Sequence, residues 1–132
     1  MFCFQCQETA KNEGCTVRGV CGKPEETADL QDLLIYVSKG IAIYGEKLKE
    51  QGTVDRAAAH VAWNDDVLVD RIREGLKVRD AVKEKAGTIS DQLPDCATWT
   101  ADGKEEILAK ALSDEVRITA AQNEDVRSLR EL

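Results

Sequence analysis

The sequence predicts an all-α fold: a helical bundle preceded by a cysteine-rich, cluster-binding N-terminal loop. Three observations lead there. Two long segments carry stripes of residues at steps of three and four, which is one face of a helix. No segment shows the sustained two-residue alternation of a sheet. Four of the five cysteines fall within the first 21 of 132 residues, ahead of any apolar stripe. With 42% apolar and 33% charged residues, the composition is that of a globular, water-soluble domain. A chain of this size buries roughly 65–70% of its unfolded surface, so it needs no disulfide to fold.

Residues 1–23 are short of aliphatic side chains and punctuated by Gly14, Gly19 and Gly22, as befits a loop organised by a ligand. Pro24 with Glu25 and Glu26 marks a helix start, proline in the first turn and acids where the helix dipole favours them. Leu30, Leu34, Val37, Ile41, Tyr44 and Leu48 form its stripe, Lys47 and Lys49 sit near its end, and Gly52 closes it. Gly40 and Gly45 interrupt this helix at about 1 kcal/mol each relative to alanine, and close approach of another helix would account for them.

Residues 53–63 are helix-compatible but weakly patterned. Asn64 then caps a second helix, with Asp65 and Asp66 in its first turn. Its stripe is Leu68, Ile72, Leu76, Arg79 (stem only) and Val82, and Gly87 ends it. Residues 88–102, with Pro94 and many Thr and Asp, are expected as a loop. A short helix over 104–112 buries Ile107, Leu108 and Ala111, and 116–120 alternates briefly as if extended. Residues 24–122 thus make one helical unit. In the last ten residues Asn123 is a cap, followed by Glu124, Asp125, Val126 and Leu129, and EDVRSLR (124–130) echoes ADLQDLL (28–34). We read 123–132 as the start of a second helical unit, truncated here.

A net charge of −7 argues against nucleic acid or an anionic membrane surface as the main partner. No apolar run approaches the ~20 residues of a membrane span, and residues 1–7 show no secretory signal. The expected location is the cytoplasm, where thiols stay reduced and clustered cysteines are metal ligands more often than bridges.

The cysteines follow C-x2-C-x8-C-x5-C: Cys3, Cys6, Cys15 and Cys21. A Cys-x2-Cys pair lets two sulfurs converge on one centre, and four thiolates serve either a tetrahedral zinc or a cubane cluster. The five-residue gap of the second pair and the wide loop around it favour the larger [4Fe–4S] core, with zinc as the alternative and disulfides or inert thiols behind it. Such a cluster is anionic. N–H groups of Gly14, Gly19 and Gly22 and the side chains of Lys11, Arg18 and Lys23 would compensate it, while Phe2 and Phe4 would shield it. Elsewhere the bland readings are preferred: Cys96 as an ordinary small residue rather than a reactive thiol, His60 as packed or solvent-facing, and Trp63 and Trp99 as core anchors. The charge-dense stretches 45–51 and 70–85 read as solvated faces rather than a docking patch for a basic redox partner.

The opening fifty residues, MFCFQCQETAKNEGCTVRGVCGKPEETADLQDLLIYVSKGIAIYGEKLKE, closely resemble the N-terminus of the hybrid-cluster (prismane) proteins, the hydroxylamine reductase family. CATWT (96–100) and NEDVRSLREL (123–132) are similar to later family segments in the same order, whereas around 53–66 the chain is shorter, as though one helix were trimmed. The resemblance implies that Cys3, Cys6, Cys15 and Cys21 bind a [4Fe–4S] cluster; a branch with wider spacing carries [2Fe–2S]. It implies an oxidoreductase that reduces hydroxylamine to ammonia and water, some members also being credited with nitric oxide reduction. The catalytic hybrid iron–sulfur–oxygen cluster lies in later domains, on His, Glu and Cys residues that have no counterpart here, so no catalytic residue is assigned to this chain. The chain resembles the first quarter of such a protein, receiving an electron from an external redox protein and passing it inward. Two other readings stay open: a stand-alone Fe–S carrier, and a zinc-stabilised interaction module.

Overall fold

A computed structural model describes residues 3, 14, 15, 19–50, 64–89 and 92–117. They form four helices, α1 (Glu25–Glu50), α2 (Asp65–Ala86), α3 (Asp95–Thr98) and α4 (Lys104–Ala111). Among the described residues the sole extended pairing is one isolated antiparallel bridge. The fold is all-α, as expected. Gly52, the 53–63 segment and the second unit at 123–132 lie outside the described residues.

Pro24 stands just ahead of α1, its carbonyl accepting the first helical hydrogen bond from Ala28 at 3.2 Å. All six residues of the predicted α1 stripe are buried. So are the five of the α2 stripe, each full Leu or Ile burial being worth about 1.5–3 kcal/mol. Asn64 caps α2 as read, its Oδ1 accepting from the N–H groups of Asp66 (3.0 Å) and Val67 (3.2 Å). Gly87, with φ +72°, ends α2.

The two long helices run parallel. The Thr27 hydroxyl at the start of α1 donates to Asp65 Oδ1 at the start of α2, 2.7 Å away and 38 positions on. Further along, a Cβ on Gly75 would sit 3.0 Å from Val37 Cγ1, at the same offset. Leu30, Leu33, Val37, Leu68, Ile72 and Leu76 make the main core, and α4 covers it with Ile107 and Ala111. Tyr44, Leu48, Val82 and Ala86 make a second cluster at the far end.

Several expectations are corrected. The 88–102 segment is not all loop: α3 forms inside it, started by Pro94, whose carbonyl accepts from Ala97 N–H at 3.0 Å. Four residues are too few for any periodicity to reveal. Tyr36 and Tyr44 clamp α3 to α1, donating to Asp95 Oδ2 (2.7 Å) and to the Ala97 carbonyl (3.0 Å). Gly40 faces the α3 backbone, which is the close approach anticipated for it, whereas Gly45 has open space.

Arg79 buries its head as well as its stem, at 2% exposure. Its guanidinium donates to the Trp99 carbonyl and, at 2.6 and 3.0 Å, to Asp80 Oδ1, because the chain after α3 folds over it. Trp99 packs against the main core, and Lys110 Nζ lies 5.7 Å from its ring while pairing with Asp95 at 2.7 Å. Val116 belongs to a turn rather than an extended segment, its N–H donating to the Ser113 carbonyl at 3.1 Å.

From Thr27 to Leu34 every residue of α1 is buried, polar ones included. Asp29 accepts from Arg117 Nε at 3.2 Å through Oδ1, while its Oδ2 is buried with no hydrogen-bond partner. Burial raises its pKa to about 6, against the opposing pull of Arg117. The folded state therefore holds a proton between the ordinary value of 3.8 and about 6 that the unfolded chain has lost. This contribution to stability grows as pH falls through 6 and is lost as pH rises. Asp29→Asn is expected to be more stable than the wild type at pH 7.5 by about 1 kcal/mol, and to narrow that gap at pH 4.5. Paired thermal melts at the two pH values check this, and an equal gap at both would refute it.

Candidate metal centre

Cys3 and Cys15 are brought together by backbone. Cys3 N–H donates to the Cys15 carbonyl at 3.2 Å, and Cys15 N–H returns the bond at 2.8 Å. In such a hydrogen-bonded antiparallel pair the Cα atoms stand roughly 5.5 Å apart and both side chains emerge on the same side. Both cysteines are buried, with Ala28 of α1, fully covered, as the third member of their cluster. The loop therefore docks its paired thiols against the first turn of the long helix.

Cys21 lies on an exposed turn. Gly22 N–H donates to the Gly19 carbonyl at 2.8 Å, and Gly22 takes φ +87°, open to glycine at little cost. A Cβ at Gly19 would sit 3.0 Å from both the N and the O of Lys23, so the turn closes tightly on the residue that leads into α1. Cys21 and its neighbour Val20 are solvent-exposed. The structure thus joins Cys3 with Cys15, and sets Cys21 apart from that buried pair. Cys6 lies outside the described residues, as do Phe2, Phe4, Lys11, Arg18, His60 and Trp63. No three His, Cys, Asp or Glu residues converge among the described residues.

Lys23 completes the arrangement. It is 7% exposed, and its Nζ lies 3.8 Å from Cys3 Sγ and 2.5 Å from Gln31 Oε1. Two paired, buried thiols and a buried cation beside one of them suit an anionic, thiolate-held centre. Thiolate donors serve iron–sulfur clusters and zinc alike. Gln31 was invisible in the sequence, being one polar residue beside an apolar stripe with nothing to tie it to a lysine eight positions earlier.

Cys96 is remote from this chemistry. It is buried on α3, where burial pushes its thiol pKa up, and it behaves as the small packing residue anticipated.

The model of the Prismane/CO dehydrogenase family matches residues 1–132. A hydroxylamine reductase of Desulfosudis oleivorans is 72% identical over 145 aligned positions, covering 100% of this chain and 26% of that protein. Another, of Nitratidesulfovibrio vulgaris, is 53% identical over 153 positions, covering 100% of this chain and 27% of that protein. A third, of Methanocaldococcus jannaschii, is 41% identical over 141 positions, covering 100% and 26% respectively. All three alignments outrun the 132 residues of the chain, so each relative holds residues that this chain lacks within the matched stretch. The chain spans about a quarter of the length of the curated relatives it matches.

Proposed function

The chain belongs to the Prismane/CO dehydrogenase family, and from that premise we propose that it is the N-terminal, electron-transferring part of a hydroxylamine reductase. The observation that carries this reading is 72% identity along the whole chain to a protein of that name. The paired, buried Cys3 and Cys15 beside Lys23 support its chemical half.

In this reading Cys3, Cys6, Cys15 and Cys21 hold a [4Fe–4S] cluster in the cytoplasm. When bound, such a cluster supplies one-electron transfer rather than substrate activation. The chain's own residues do the rest. Cys3 and Cys15 offer two sulfurs fixed by their mutual backbone bonds, and Ala28 covers the pair. Cys21, on its exposed turn, sets one ligand at the surface, within reach of an external electron donor. Reduction of hydroxylamine to ammonia and water consumes two electrons and two protons per molecule, and belongs to residues of the longer protein outside this chain.

Oxygen-free purification followed by metal and acid-labile sulfide analysis tests the proposal. Iron and sulfide in equal amounts are expected. Zinc without sulfide would overturn the cluster assignment, and hydroxylamine turnover by the 132-residue chain with reduced viologen would overturn the placement of catalysis elsewhere.

A further inference from the structure

We infer that Lys23 raises the reduction potential of the centre held by the cysteines, with Gln31 as the positioning residue that aims it; this rests on the cluster reading given above. The contacts are specific. Lys23 Nζ reaches Cys3 Sγ at 3.8 Å and is anchored by Gln31 Oε1 at 2.5 Å, one residue from the loop meeting another from the second turn of α1. Helix stability does not account for the placement. Lys23 lies two residues ahead of Glu25, the first residue of α1, and the dipole at a helix N-terminus disfavours a cation. Exposed Glu25 and Glu26 beside it would receive the ammonium in water, yet the side chain is turned inward and buried. The tight packing of Gly19 on the Lys23 backbone holds its base still.

Each electron added to a thiolate-held centre makes it more negative. A fixed positive charge beside one ligand sulfur stabilises the reduced state more than the oxidised one, and charge near a cluster is among the factors that set its potential. Because Gln31 is neutral, it orients the ammonium without cancelling it.

The test is redox titration of the cluster-loaded protein that carries this chain, with iron and sulfide measured alongside. Lys23→Met is expected to keep wild-type iron and sulfide and to make reduction about tenfold less favourable, ~59 mV more negative for a one-electron couple. Lys23→Arg is expected to restore the wild-type potential. Gln31→Glu, which sets a carboxylate against the ammonium, is expected to shift the potential in the same direction as Lys23→Met. Loaded Lys23→Met protein at the wild-type potential would overturn the inference. If Lys23→Met fails to load, Gln31→Glu decides: a negative shift supports the inference and an unchanged potential overturns it. Wild-type protein without iron and sulfide would instead overturn the cluster reading itself.

Discussion

Gly40→Ala is expected to lower stability by about 2–3 kcal/mol, despite replacing a poor helix former with the best one. The methyl group would overlap the Cys96 carbonyl oxygen and sit 2.8 Å from its carbon. Both are backbone atoms of α3, so no rotamer change relieves the overlap and α3 has to move. Overpacking of this kind costs about 1–3 kcal/mol or more. Displacing α3 also takes the Ala97 carbonyl from the Tyr44 hydroxyl and the Trp99 carbonyl from the buried Arg79 head. Each buried polar group left unpaired costs about 1–3 kcal/mol, more when charged. Against this stands a helix-propensity gain of about 1 kcal/mol. Gly45→Ala, on the same helix with nothing within 4 Å of the added methyl, isolates that gain and is expected to stabilise by up to about 1 kcal/mol. Denaturant melts of the two variants should move in opposite directions. Equal movement would show that α3 is not seated on Gly40.

Cys15→Ser is expected to abolish iron and sulfide binding altogether, with loss of the visible absorbance. The substitution removes only the sulfur. The two hydrogen bonds that pair Cys15 with Cys3 run through the backbone and survive it. Cys96→Ser is the matched control: a buried thiol on α3, outside the proposed ligand set, expected to leave metal content unchanged. Full absorbance in Cys15→Ser protein would mean that the ligands are misassigned.

How much of this was legible in the sequence depends on the length of the feature. The stripes of α1 and α2 announced themselves over five or six repeats, and Asn64 and Gly87 bounded α2 by local chemistry alone. α3 did not, since one turn opened by Pro94 looks like any proline-bearing loop. The stripe also misjudged the start of α1. Periodicity assumes that one face meets the core, but Thr27, Asp29, Gln31 and Asp32 are buried on the remaining faces by the α2 terminus, the Arg117 turn and the cysteine loop. For the candidate site, spacing identified the cysteines, while the pairing of Cys3 with Cys15 and the reach of Lys23 to Gln31 depend on tertiary placement.

The parallel course of α1 and α2 has a kinetic consequence. Two helices joined as a hairpin can zip from their turn, each new contact adding little loop. Here the interface keeps a constant separation of 38 positions, from Thr27 and Asp65 onward. Its first contact must close that whole loop, and the entropy of doing so precedes any reward from packing. The helices are therefore expected to form early and meet late, in one cooperative docking step.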